Sequence, residues 1–239
     1  TKINAGTDIT NVRADAHLIT FTSTGYSRNE VAGISSLNAI NNLFEWTATY
    51  NKEINATNTI NILGGITYQD FQRRSQQIRA EDFVAKGTYT DNVSLGNAAL
   101  SAVFSDKTTS SLFSYIGRAN YTYANKLLLT ATVRRDGSSK FGKNNKYAIF
   151  PALALGYKLH EESFIPESIN QLKIRTSWGR TGNEAVEIAA SQQTYGSGGV
   201  ATFNNDPYTA IAPSRVANPD LKWETTEQMN IGIDFGILE

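Results

Sequence analysis

The residues able to do chemistry in this 239-residue chain are few and scattered. His17 and His160 are its two histidines; neither stands at metal-ligand spacing from other donors, so both are expected at the surface. Glu161 and Glu162 are neighbouring carboxylates of the kind that cleave glycosidic bonds. Adjacent residues on a turn point apart, however, so a solvated turn is expected. Gly196-Ser197-Gly198-Gly199 lacks the lysine and the strand–helix context of a phosphate loop. No nucleophile-elbow pattern occurs. The absence of cysteine removes disulfides, thiolate metal sites and a cysteine nucleophile. The expectation is a protein that is not an enzyme and holds no metal or cofactor.

What remains are side chains suited to touch a ligand without transforming it. Arg118, Arg134, Lys173 and Arg175 are cations within stretches that alternate apolar and polar residues. They are candidates for substrate contact, or for pairing with carboxylates across an interior, and charges lining a filled interior need such partners. Tyr195, Phe203, Tyr208 and Trp223 lie in or beside a long Gly/Ser/Asn segment. Their rings are candidates for stacking on sugar faces, with loop packing as the alternative. With 22 basic and 22 acidic residues the net charge is zero, and there is no basic run, which argues against a nucleic-acid partner.

The elements that position these residues read as strands. Tyr, Thr, Asn, Ser and Gly are abundant and Pro is scarce. The longest apolar stretch, residues 148–155, is about half of what a membrane-spanning helix requires, and mean hydropathy is −0.33. Period-two alternation is the dominant signal. Phe44, Trp46, Ala48 and Tyr50 share one side of residues 43–50. Ile60, Ile62, Gly64, Ile66 and Tyr68 share one side of 60–69. Phe113, Tyr115, Gly117, Ala119, Tyr121 and Tyr123 do so in 112–123, and Leu127, Leu129, Ala131 and Val133 in 127–134. Tyr147, Ile149, Leu153, Leu155 and Tyr157 follow in 147–159, where Pro151 weakens the assignment because it cannot donate to a ladder. Leu172, Ile174, Thr176 and Trp178 form the sixth such side. Trp223, Met229, Ile231, Ile233 and Phe235 form the seventh, interrupted by Glu227. Arg118, Arg134, Lys173 and Arg175 all carry the opposite, polar parity. Arg135 carries the apolar parity at a strand end, where it could meet lipopolysaccharide phosphates or snorkel toward water.

The connections alternate in length. Residues 52–57, 124–126 and 160–171 are short or medium, whereas 72–111, 136–146 and 182–220 are long and polar. In an up-and-down meander this puts the long connections on one side, as in outer-membrane barrels with their short periplasmic turns and long extracellular loops. Aromatic residues fall at both ends of an aliphatic band, as an interfacial belt requires. Residues 136–139, Asp-Gly-Ser-Ser, read as a turn that closes a strand. The expected fold is therefore an all-β antiparallel meander of about seven strands, a segment of a larger transmembrane barrel. Residues 1–42 are expected to be an extracellular loop, and 43–237 to be barrel strands. A soluble antiparallel sandwich alternates too, but explains neither the one-sided loops nor the aromatic ends. Thr1 opens in a polar context and the chain stops just after a strand, so a piece of a longer protein is expected. A wide plugged barrel needs roughly 16 to 22 strands.

Four segments resemble the SusC/RagA family of TonB-dependent transporters. Tyr123-Ala124-Asn125-Lys126-Leu127-Leu128-Leu129 with Arg134-Arg135-Asp136-Gly137-Ser138-Ser139-Lys140-Phe141-Gly142 is similar to its Y-x-x-K-Y-L-L … R-x-D-G-S-S-x-F-G stretch, with Leu127 in place of the aromatic. Tyr147-Ala148-Ile149-Phe150-Pro151 with Glu162-Ser163-Phe164 resembles Y-A-x-F-P … E-x-F. Leu172-Lys173-Ile174-Arg175-Thr176-Ser177-Trp178-Gly179-Arg180-Thr181-Gly182-Asn183 resembles L-K-x-R-x-S-W-G-x-T-G-N. Asn218-Pro219-Asp220-Leu221-Lys222-Trp223-Glu224 resembles N-P-x-L-x-W-E. The resemblance covers residues 111–237. It implies a barrel of about 22 strands around a plug domain, in the outer membrane of a Bacteroidetes-type Gram-negative cell. It further implies energisation by TonB, a SusD-like surface lipoprotein as partner, and import of oligosaccharides or peptides. The plug and the TonB box are expected outside these residues. A passive porin or an adhesin barrel is the alternative within the same fold.

Overall fold

The computed structural model describes residues 1–85, 87–166 and 168–237. Eight antiparallel strands form one open sheet in the order β1-β2-β3-β4-β5-β6-β7-β10. They are β1 Lys2–Leu18, β2 Val31–Asn55, β3 Asn58–Glu81, β4 Ala102–Tyr123, β5 Leu127–Ser138, β6 Tyr147–Lys158, β7 Gln171–Asn183 and β10 Glu224–Gly236. The remaining two strands, β8 Thr194–Phe203 and β9 Asp206–Arg215, pair only with each other. The chain divides into two compact units. The first comprises Thr1–Ala5, Leu43–Gln69 and Ser111–Glu239; the second comprises Gly6–Asn42 and Asp70–Ser110.

In the first unit the register carries one face unbroken across five strands. Tyr121 lies opposite Leu129, Leu129 opposite Leu155, Leu155 opposite Thr176, and Thr176 opposite Ile231. The next row is Ala119, Ala131, Leu153, Trp178 and Met229. Directly opposed residues of an antiparallel pair share a face, so the apolar parity read along each strand becomes a single apolar surface. Among the described residues no second sheet covers it: Trp46 is 39% exposed, Leu153 56% and Ile231 74%. A soluble sandwich would bury these side chains, since full burial of each stabilises by roughly 1.5–3 kcal/mol.

Glu227, which interrupts the apolar parity of β10, lies opposite Arg180 of β7 and pairs with it. The interruption is thus a matched pair on the same face. Pro151 also finds its explanation. The β6–β7 ladder begins at Ala152, so the residue with no N–H sits just beyond its end.

Three expectations need correction. Residues 1–42 are not a loop: β1 and the first part of β2 are strand, joined through the short helix α1, Ser23–Ser27. Half of the stretch 72–111 is strand as well, because β3 runs to Glu81 and β4 starts at Ala102. The stretch 182–220 carries the β8–β9 hairpin. With β1 included, the main sheet has eight strands where seven were expected. Residues 56–57 suffice to turn β2 into β3, while Ala124 and Asn125, both at positive φ, turn β4 into β5.

The second unit closes a small core of Ala32, Ala80 and Phe83, packed by Tyr89 and Val93. The buried carboxylate of Glu81 accepts from Arg28 at 2.7 Å and lies 3.0 Å from Arg79, which offsets its desolvation. His17 stacks on Tyr89 with ring centroids 3.5 Å apart and lies 3.6 Å from Glu30. It is mostly covered rather than at the surface as expected.

The two faces respond differently to charge. Leu153→Arg, in the middle of the apolar surface, is expected to cost about 2–4 kcal/mol in refolding of the full-length protein into lipid vesicles. Gln228→Arg, on the polar face, should cost far less. Equal costs for the two variants would sink the assignment of faces.

Candidate functional site

The polar face carries Arg118, Arg134, Lys173 and Arg175, and its side chains are tied to one another in layers. Near the β6–β7 end of the strands, Lys158, Lys173 and Asp234 stand in register, with Gly156, Arg175 and Gly232 in the next row. Long cations lie across the glycines. A Cβ on Gly232 would come within 2.9 Å of the Arg175 guanidinium, and one on Gly156 within 3.2 Å of the Lys173 chain. Arg175 also donates to Asp234 at 3.3 Å. Above these cations opens a hollow of about 550 Å³, lined among others by Leu128, Thr130, Lys173, Arg175, Ser177 and Asn230.

The next layer is an amide ladder across four strands. Asn61 donates to Asn51, Asn120 donates to Asn61 at 2.9 Å, and the Thr130 hydroxyl donates to Asn120 at 2.9 Å. Sequence parity puts these residues on the polar face but cannot show that the register joins them. Higher up, Arg118 makes a long hydrogen bond of 3.4 Å to the Thr132 hydroxyl. Arg134 is fixed more tightly. Its Nε donates to both oxygens of Asp136, at 2.6 and 2.9 Å, and its terminal nitrogen donates to Ser114 at 3.0 Å. Asp136 and Ser114 are both buried. Arg134 and Arg175 thus have carboxylate partners within the chain, and Arg118 has none among the described residues.

At the far end of β5 the expected polar loop is a packed knot. Phe141, Phe150 and Trp223 form its buried core. The Phe141 and Trp223 ring centroids are 5.0 Å apart, and the Trp223 indole donates to the Lys146 carbonyl at 3.0 Å. Glycines allow close approach here. A Cβ on Gly142 would lie 2.2 Å from the Pro219 carbonyl oxygen, and one on Gly182 2.1 Å from the Phe150 ring. The Ser138 hydroxyl accepts from the Lys140 N–H, and Ser139 exchanges hydrogen bonds with Ser111. The four sequence segments that carry the family resemblance therefore meet at this knot.

Trp223 has to be reassigned. It precedes β10 and is only 8% exposed, with Phe141 and Phe150 against its ring, so it is neither a belt residue nor free to stack on a sugar. Tyr195 and Tyr208 remain well exposed on the β8–β9 hairpin. The register shift between Ser197 and Val200 puts Tyr208 beside Phe203 on one face and Tyr195 with Ile211 on the other. The two tyrosines therefore cannot clamp one ring between them.

At the opposite end, Glu161 and Glu162 diverge as adjacent turn residues must. Glu161 faces His160, whereas Glu162 accepts from Tyr157 at 2.6 Å and from Lys126 at 3.0 Å. The Tyr157 hydrogen bond and then that of Lys126 hold the Glu162 carboxyl below its ordinary range. His160 is not a free surface residue. Its Nδ1 accepts from the Leu172 N–H at 3.2 Å and pins the start of β7.

An open antiparallel meander with an uncovered apolar face, a cross-linked polar face and short turns at one end is the wall of a β-barrel. The description "TonB dependent receptor-like, beta-barrel" matches residues 2–237. The chain belongs to this family of TonB-dependent receptors. It is 36% identical over 208 residues to TonB-dependent receptor P3 of Formosa agariphila, covering 84% of this chain and 20% of that protein. It is 39% identical over 136 residues to TonB-dependent receptor SusC of Bacteroides thetaiotaomicron, covering 55% of this chain and 14% of SusC. The fold matches the RagAB peptide transporter with a TM-score of 0.86 at 23% identity, over 98% of this chain and 26% of that one. The chain thus spans about a fifth of the length of the curated relatives it matches.

Two outcomes test the site. Trp223→Ala is expected to destabilise the knot by about 3–5 kcal/mol, seen as faster proteolysis of residues 184–222 in the full-length protein. A depressed folded-state carboxyl contributes stability above its unfolded pKa and loses it as pH falls through the folded value. Glu162→Gln should therefore be less stable than the parent at neutral pH and indistinguishable from it in strong acid. A constant difference across pH would reject that role for Glu162.

Proposed function

We propose that this chain forms part of the barrel wall of an outer-membrane active importer of large nutrients, oligosaccharides or peptides. The supporting observation is the two-faced sheet: an apolar surface continuous in register across β4–β7 and β10, backed by a polar surface with an amide ladder and with Arg134 and Arg175 paired to carboxylates. Open sheet edges cannot lie in hydrocarbon, where each unpaired backbone group costs several kcal/mol. The edges at β1 and β10 therefore call for further strands.

In this reading the apolar surface meets lipid and the polar surface faces a lumen occupied by a plug domain. Arg134 and Arg175 keep the wall rigid through Asp136 and Asp234. Arg118 and Lys173 are left to contact the plug or a passing substrate. The β8–β9 hairpin, with Tyr195 and Tyr208, stands at the cell exterior, where a SusD-like lipoprotein would hand over ligand. TonB acts through the plug. Membership of the TonB-dependent receptor family supports this account.

The test is uptake by cells with and without the full-length protein. It should fractionate with the outer membrane, and its loss should abolish uptake of either labelled peptides or labelled oligosaccharides. Removing TonB should have the same effect. Uptake that persists without TonB would indicate a passive porin. Recovery of the folded protein in the soluble fraction would overturn the membrane reading altogether.

A further inference from the structure

Two arginines of the first unit lie on the apolar face, and they are treated differently. Arg180 is neutralised by Glu227, directly across the β7–β10 ladder. Arg135 of β5 has no carboxylate within ion-pair distance among the described residues. Its guanidinium lies 4.4 Å above the Tyr147 ring, while Tyr115 and Ile149 flank it in register. A ring face attracts the cation but satisfies none of its five N–H donors. The edges of the guanidinium remain open for a bidentate acceptor, and phosphate is the anion that this fork fits best.

A second feature lies on the same face. Ala119 and Ala131, opposite each other, floor a hollow of about 480 Å³ whose walls include Tyr121, Leu129, Leu153 and Trp178. It is apolar on nearly all sides. Ala131 and Arg135 are on one strand and one face, so the hollow and the cation are separated by about 14 Å at the rise of an extended chain. That spacing suits one amphipathic molecule lying along β5, with a hydrocarbon tail in the hollow and a phosphate at Arg135.

From these features we infer a lipid site: Arg135, oriented by Tyr147, binds the phosphate of lipopolysaccharide lipid A, and an acyl chain of the same molecule fills the hollow over Ala119 and Ala131. The inference rests on the barrel reading. The choice of lipid A over a glycerophospholipid rests on the position of Arg135 beside the long connections, the side assigned to the exterior. Charge complementarity selects the headgroup and the small-residue floor selects the tail.

The experiment uses the full-length protein, purified in mild detergent and incubated with lipid A, with phosphatase-treated lipid A or with phosphatidylglycerol. Bound lipid is counted by native mass spectrometry. Folding of the barrel is checked separately by heat-dependent migration on gels. The parent should retain lipid A and lose it on phosphatase treatment. Arg135→Gln should lower retention about tenfold, as loss of a charge-assisted pair would. Ala131→Phe should lower it through the tail alone, and the double variant Arg180→Gln, Glu227→Gln should leave it unchanged. Equal retention by parent and Arg135→Gln in a heat-modifiable barrel would overturn the lipid site alone. So would retention indifferent to the phosphate, or preference for phosphatidylglycerol. Absence of a heat-modifiable barrel in the parent would overturn the barrel reading with it.

Discussion

Everything in this molecule depends on the backbone ladder. Where water is absent, N–H and C=O groups must be paired by neighbouring strands, which leaves side chains to stand alternately on two surfaces. One surface can then be apolar without any protein core behind it. That is why a chain that is 40% hydrophobic, with mean hydropathy of −0.33, has so few fully buried side chains among its described residues. The buried groups sit at the strand ends instead: Ala32, Ala80 and Phe83 in one unit, and Phe141, Phe150 and Trp223 in the other.

Wherever alternation was strong, the strands were legible in the sequence. Residues 112–134 illustrate this: the apolar parity of both strands and the Ala124-Asn125 turn match the observed register. Strand β1 was not legible because its apolar residues do not keep one parity. Ile3 and Ile9 fall on one side and Val12 on the other, and all three are exposed. The β8–β9 hairpin was hidden by its glycines, which erase side-chain periodicity and introduce a register shift. A signal was available in Asn204-Asn205, both at positive φ, a pair suited to a tight hairpin turn.

The polar face was legible as a set of residues but not as a network. Parity places Arg134 and Arg175 correctly, but that Asp136 and Asp234 complete them depends on register and side-chain reach. The same limit explains Trp223. Its spacing from Met229 fits the apolar parity of β10, yet the strand begins one residue later and the ring turns into the knot. Local pattern reports which side a residue prefers; where a chain leaves the ladder, tertiary packing decides.

The knot has one more consequence. It clasps the chain on both flanks of the β8–β9 hairpin, through Gly182 against Phe150 before it and Pro219 with Trp223 after it. The intervening residues begin and end at fixed points whatever their own sequence. Such an arrangement works as a socket, in which evolution can exchange or lengthen the inserted finger and leave the frame that holds it untouched.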